Sequence, residues 1–432
     1  MFLLRLYLEA NFNGESGLSM KIRKVGLFAA AALSASALVA GSIAPAYAVE
    51  ENTVTIWTDK TRAEATKPTL TKFATKSGLT IKFVEKDFGT LRDAVIAAIP
   101  QGTGPDIIIG PHDWTGELVA AGVVSTVNLG ANASKLNKGA AGGFASAGKQ
   151  YGVPMYIENI AIVRNVKKAK TAPKTWAELT KNGALQIQSW DPNGDAYHFQ
   201  ALLSSFGISE YTRDSSGAWT KKVNLGGAAG DNYAKFLATL GKQISGPKRT
   251  WDQLRCDLAD PASKVKYWLS GPWAIGNLTE LPTACKGKEL TEADIAIDII
   301  PSAGGKTASQ FLGANGAFQS VKVASQENAV AVGKVLTYLG TAPAQLDIFS
   351  EKNFTPAHSQ ALAGAAAIDK FVKGFGAAGK NAVAMPAFAF QSSVFDKLGA
   401  TERNILLGKS KDPVKDWRAM VAAIEKLVAA GK

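Results

Sequence analysis

Between Gly104-Pro105 and Gly110-Pro111 the chain reads Asp106-Ile107-Ile108-Ile109, a continuous apolar run without alternation. Such a run does not suit a strand with one wet face. It suits a sheet covered on both sides, the situation of parallel strands flanked by helices. The preceding chain agrees. Thr53 to Trp57 is rich in β-branched and aromatic residues, and the polar stretch Thr58-Asp59-Lys60-Thr61-Arg62 opens a helix toward Phe73. Gly78 caps that helix and Leu79 to Glu85 alternates as a second strand. Thr90 to Ile99 has helical spacing before the turn Gly102-Thr103-Gly104-Pro105. Strand-helix-strand-helix-strand order predicts an α/β domain. In open sheets of that class, ligands bind beyond the carboxyl ends of the strands. Asp59, Lys60 and Arg62 stand at the first such end, and His112, Asp113 and Trp114 at the third.

Farther along, Gly152 to Val163 predicts two extended pieces with Glu158-Asn159 between them. A carboxylate between apolar runs needs a partner or a polar cleft, because an unpaired buried charge is costly. Thr175-Trp176-Ala177-Glu178 has the spacing of a capping box. Gln186 to Trp190 predicts a strand, followed by Asp191, Asp195 and Tyr197 leading into an amphipathic helix that ends at Gly207. A surface hairpin is expected within 209–230, and a helix over Asp231 to Ile244. Val265, Trp268 and Leu269 have helical spacing and run into Gly271-Pro272, a turn presenting Trp273. An exposed indole there offers a flat apolar surface with one donor, suited to a sugar ring or to a core. Strands follow at Ile295 to Ile300 and Ala317 to Val323, then helices at Glu327 to Leu339 and from Ala342 toward Phe349. One Ala-rich helix is predicted over 359–378, with others at Phe390 to Leu398 and Pro413 to Ala430. With 432 residues, 46% of them hydrophobic, there is enough apolar surface for two cores.

The first 48 residues stand apart. From Met20 the chain presents Lys21, Arg23 and Lys24, an apolar run Val25 to Ile43, and Ala46-Tyr47-Ala48. This is the pattern of a signal peptide cleaved after Ala48, and residues 1–19 read as an upstream mis-start. No cysteine lies at that boundary to carry a lipid. The net charge is +12, but Lys and Arg are dispersed without a run of five, which argues for a solvated basic surface and against a nucleic-acid partner. Two cysteines, Cys256 and Cys285, in an exported chain predict a disulfide closing a loop of about 30 residues, worth roughly 3 kcal/mol. Two cysteines and three scattered histidines give no transition-metal ligand set, so no cofactor is expected. No phosphate-binding Gly-rich loop and no G-x-S-x-G turn is present.

Several short stretches together resemble the sugar-specific extracellular solute-binding proteins of ABC importers, in particular the maltose/maltodextrin-binding group. They are Val54-Thr55-Ile56-Trp57-Thr58-Asp59-Lys60, the segment Gly104 to Asp113, Gly152 to Asn159, Pro173 to Glu178, Ser270-Gly271-Pro272-Trp273-Ala274 and Met385-Pro386. The resemblance implies a two-lobed periplasmic-binding-protein fold (type II), each lobe a mixed, mostly parallel sheet flanked by helices. Residues 50–157 and 313–356 would form the first lobe, 158–312 and 357–432 the second, with a hinge between. It implies a non-enzymatic, monomeric binding subunit outside the membrane, taking an oligosaccharide of the α-glucoside type to ABC permease subunits. Positions matching Asp59, Lys60, Asp113 and Glu158 would bind hydroxyls and Trp273 would stack on a ring, with Asp191, Asp195 and Tyr197 supplying an acid and an aromatic. Arg62 adds a charge-assisted donor, and Tyr156, Trp190 and Phe395 are further aromatic candidates. The chain departs from the group at Phe395-Asp396, at Gly399 and at Gly110, where an aromatic pair, an arginine and a tryptophan are expected. The competing readings are a secreted glycoside hydrolase using Glu158 with Asp113 or Asp191, and the same fold holding a polyamine or ferric ion. Lys60 and Arg62 disfavour the polyamine, and no tyrosine cluster supports iron.

Overall fold

The computed structural model describes residues 51–189, 192–215, 217–246 and 248–431. The predicted leader, its cleavage point after Ala48, Trp190 and Asp191 lie outside the described residues. In chain order the principal strands are β1 Thr53–Thr58, β2 Thr80–Glu85, β3 Ile107–Pro111, β4 Gly152–Glu158, β5 Ala161–Asn165, β6 Leu185–Ile187, β7 Tyr267–Ser270, β8 Ile295–Asp298, β9 Phe311–Ser320 and β10 Thr355–Pro356. The helices used below are α1 Lys60–Ser77, α2 Phe88–Ala98, α3 Thr115–Ala120, α4 Ala196–Ser205, α5 Gly227–Gln243, α6 Trp273–Thr279, α7 Ala329–Leu339, α8 Ala342–Lys352, α9 Gln391–Leu406 and α10 Pro413–Ala430.

Two sheets organise the molecule. The larger runs β10-β4-β9-β3-β1-β2, and the smaller β8-β5-β7-β6. The isoleucine run explains the first. Ile107 and Ile109 enter one apolar cluster with Val54, Ile56 and the α7 residues Val332 and Val335, while Ile108 enters another on the opposite face with Leu91, Val95 and Trp114. All three isoleucines are fully buried, each worth about 2 kcal/mol of transfer free energy. The smaller sheet repeats the arrangement. Ile160 and Ile162 face a cluster containing α4, α5, α9 and α10 side chains, and Ala161 and Val163 face one with Trp268, Phe371 and Phe375.

The expected mostly parallel character is confined to β1–β2, β1–β3 and β6–β7 among the principal strands. β9 runs antiparallel to both β3 and β4, and β5 antiparallel to β7 and β8, because the chain enters each sheet from the other one and returns. Glu158 ends β4 in the larger sheet and Ala161 begins β5 in the smaller, so only Asn159 and Ile160 make that crossing.

Two local expectations are corrected. Val265, Trp268 and Leu269 are not on a helix: Tyr267–Ser270 is a central strand, buried at all four positions. The i, i+3, i+4 spacing spans too few residues to separate a helix from a strand with two buried faces. The Ala-rich stretch is two helices, Ser359–Ile368 and Lys370–Ala378, divided at Asp369, whose carboxylate accepts from the Phe371 and Val372 N–H groups and restarts the second. Cys256 and Cys285 lie with their Cα atoms 5.1 Å apart and their sulfurs in contact. Among the described residues no helix is long and apolar enough to cross a membrane.

Candidate functional site

The carboxyl end of β1 delivers Asp59, which caps α1. Its Oδ1 accepts from the Thr61 and Arg62 N–H groups at 3.0 and 3.3 Å, and its Oδ2 receives Arg62 Nη1 at 2.6 Å. With its carboxylate so engaged, Asp59 holds Arg62 in place. Arg62 Nε donates to Asn315 Oδ1 on β9 at 2.7 Å, and Arg62 and Asn315 both act on the Glu158 carboxyl at the end of β4. Burial raises the Glu158 carboxyl above its ordinary value, against the pull of Arg62 and Asn315. Burial likewise raises Asp113, which follows β3, with His112, Arg92 and Arg62 opposing.

The smaller sheet's side brings aromatic rings to these polar groups. β7 ends at Ser270, and Trp273 is the first residue of α6. The turn requires glycine at 271: a Cβ there would fall 2.3 Å from the Trp273 ring. The indole is half-buried and lies 6.2 Å from the Tyr197 ring and 5.8 Å from that of His198. Tyr197 stacks on Phe311 at 6.2 Å, and Phe311 meets Phe395 at 6.0 Å. The two sides converge at Gly313 on β9, where a Cβ would stand 2.8 Å from both Glu158 Cγ and the Tyr197 hydroxyl. Asp195 caps α4 through the His198 N–H at 3.2 Å and accepts from the Gln188 amide. Burial would raise its carboxyl, but His198 and Gln188 outweigh burial and hold it below the ordinary carboxylate range.

The structure therefore gathers Asp59, Arg62, Asp113, Glu158, Asp195, Tyr197, Trp273 and Phe395 from the sequence candidates. Lys60 stands apart: its side chain is 81% exposed, 3.9 Å from Glu64 one helical turn on. Tyr156 is no platform, being fully buried and stacked on Phe354 at 4.4 Å. The missing aromatic at Gly110 has a physical counterpart, because the Trp114 ring lies over that glycine, 2.5 Å from where a Cβ would be. Trp114 also stacks at 5.6 Å on Phe88, a 47% exposed ring that carries the Arg62 guanidinium at 4.7 Å. Phe88, His198, Phe311 and Asn315 were not singled out from sequence. Only Phe311 and Asn315 carry a signal there, alternating with Leu312 and Ala314 beside Gly313.

A polar contact also spans the two cores. Arg92 on α2 donates to Ser392 Oγ on α9 at 2.5 Å, and both reach Glu117 Oε2 on α3, at 3.1 and 2.9 Å. α2 and α3 pack on the larger sheet, α9 on the smaller. Among the described residues no group of His, Cys, Asp and Glu is arranged to hold a metal ion.

Two sheets with helices on both faces, joined by crossing strands that converge on a polar and aromatic site, are the architecture of a hinged ligand-binding protein. The chain belongs to the bacterial extracellular solute-binding proteins, whose family model matches residues 69–373. It is 25% identical over 309 residues to the maltodextrin-binding protein MdxE of Bacillus subtilis, covering 64% of this chain and 70% of that one. It is 24% identical over 197 residues to a maltotriose-binding protein of Pyrococcus abyssi, covering 44% of this chain and 42%, less than half, of the relative. Its fold superposes on the Thermus thermophilus maltotriose-binding protein bound with maltotriose with a TM-score of 0.74 at 23% identity, over 87% of this chain and all of that one.

Proposed function

We propose that this chain is the substrate-binding subunit of an ABC sugar importer, holding a maltose- or maltodextrin-type oligosaccharide between two lobes without chemically changing it. The observation that carries the reading is the convergence at Gly313 of Glu158, Arg62 and Asn315 with Tyr197, Trp273 and Phe311. A hydroxyl-rich neutral ligand needs charge-assisted hydrogen bonds at its rim and aromatic surfaces for its C–H faces. Arg62, Glu158 and Asp113 supply the first, and Trp273 and Phe395 the second. The names of the relatives in Bacillus subtilis and Pyrococcus abyssi point to the same ligand class.

The lobes in this reading are residues 50–157 with 313–356, and 158–312 with 357–432. Sugar touches both and favours the closed form, which docks on the permease. The protein acts as an exported monomer after cleavage at Ala48, without a lipid anchor, and with Cys256 and Cys285 oxidised. The test is titration of the mature protein's tryptophan fluorescence with maltose, maltotriose and longer α-glucans, alongside Trp273→Ala. A saturable change lost in the variant supports the reading. Silence toward every neutral sugar in a folded protein, or release of reducing ends on long incubation, overturns it.

A further inference from the structure

His198 is 3% exposed, at the third position of α4, and its ring stands edge-on to both Trp273 and Tyr197, with interplanar angles of 76° and 75°. Its Nδ1 lies 2.7 Å from Asp195 Oδ2. Asp195 itself is fixed by the Gln188 amide and by its place as the α4 cap. A neutral imidazole whose Nδ1 proton faces a carboxylate keeps its lone pair on Nε2. Both ring nitrogens are buried: Nδ1 sits beside the Asp195 carboxylate without meeting hydrogen-bond geometry, and Nε2 has no partner in the protein. A histidine serving only as core filling has both nitrogens satisfied, because an unmet buried polar atom carries its desolvation penalty uncompensated. His198 therefore sits at the Trp273 surface while its orientation is set from behind by Gln188 and Asp195.

We propose that His198 Nε2 is a ligand-contacting acceptor for one hydroxyl of the glucosyl ring that stacks on Trp273, and that Asp195 is the residue that positions it. The inference rests on the sugar-binding reading above and assigns it a polar contact beside the aromatic surface. The site thereby discriminates among sugar rings by a hydroxyl as well as by shape: a site built to bond a hydroxyl rejects the analogue lacking it, since the buried acceptor is then left unpaired. Asp195 contributes at one remove, so its replacement by serine, which still caps α4, releases the imidazole without unravelling the helix.

The experiment is calorimetric titration of the mature protein and of the His198→Phe, His198→Gln and Asp195→Ser variants with maltotriose and with a panel of monodeoxy maltoses. His198→Phe keeps an aromatic ring of similar size and is expected to weaken maltotriose binding about tenfold, with His198→Gln recovering part of the loss. One monodeoxy maltose is expected to bind the wild type more weakly than maltose, yet to bind His198→Phe as well as maltose does. Imidazole nitrogen resonances of the wild type, followed on saturation with maltotriose, should show the His198 Nε2 signal move toward a hydrogen-bonded acceptor. This measurement stands even if a variant does not fold. Wild-type binding with His198→Phe within twofold, or an unmoved Nε2 signal, overturns the assignment of His198 and leaves the sugar reading intact. A wild type that binds no sugar overturns both.

Discussion

Arg92 and Ser392, 300 residues apart in the chain, meet at 2.5 Å, and Glu117 accepts from both. The contact joins helices that belong to different cores, so it exists only when the two sheets approach each other as they do here. Arg92→Ala should leave thermal stability within about 1 kcal/mol, as for partly exposed ion pairs. It should also weaken sugar affinity several-fold by removing a bond that holds the two sheets together. Small-angle scattering of the sugar-saturated variant should show a larger radius of gyration than sugar-saturated wild type.

Gly313 lies where Glu158 and Tyr197 close on the backbone, with no room for a methyl group. Gly313→Ala should fold, since β9 accepts alanine at neighbouring positions, but should push the two side chains apart. Binding should fall at least tenfold, while Gly→Ala at the open position Gly276 should leave affinity unchanged. Parallel fluorescence titrations check both.

Glu210 is 1% exposed, and burial pushes its carboxyl up to about 8, with Gln391 pulling it down. The native state thus holds a proton that the unfolded chain releases above its ordinary value of 4.5. The associated stability is fully present below pH 4.5 and is lost as pH rises through 8. Glu210→Gln, neutral at every pH, should gain on the wild type by several kcal/mol between pH 7 and 9. The gain should vanish near pH 4. Urea unfolding at three pH values measures this.

A bridge between Cys256 and Cys285, whose Cα atoms lie 5.1 Å apart, would tie helix Trp251–Ala259 to the chain that leaves α6. The paired Cys256→Ser and Cys285→Ser variant should lose about 3 kcal/mol, the value for closure of a loop of this length. Because α6 begins with Trp273, the variant should also broaden the tryptophan response to sugar. Chemical unfolding and the titration midpoint are the two readouts.

What could be read from the sequence depended on how local each signal was. Ile107–Ile109 predicted a strand buried on both faces, and its isoleucines do divide between two clusters. Glu158 stood out as a carboxylate between apolar runs, and the structure gives it Asn315 and Arg62. Asp59 and Arg62 were legible as strand-end charges, but their mutual bond appears only once α1 is known to begin at Lys60. His198 was one of three lone histidines with nothing in sequence to mark it. Its significance comes from Trp273, 75 positions later. Arg92 and Ser392 carry no signal at all, since neither the spacing nor the composition of α2 or α9 records which helix lies opposite. Strand Tyr267–Ser270 before Gly271 is hidden for a different reason: a strand with both faces apolar has no alternation to display.

Strand β9 places Phe311, Gly313 and Asn315 in the candidate site and turns Ala314 into the core cluster of the larger sheet. Three site positions are thus spelled in one alternating register, and that makes the site fragile to frame as well as to composition. Inserting a single residue ahead of Phe311 would carry the ring, the gap and the amide to the opposite face at once, while leaving every one of those residues in the chain. Lineages diversifying such a binder can exchange residues along β9 one by one. They have far less freedom to change its length, so ligand range should drift by substitution here and by insertion only in the loops at the strand ends.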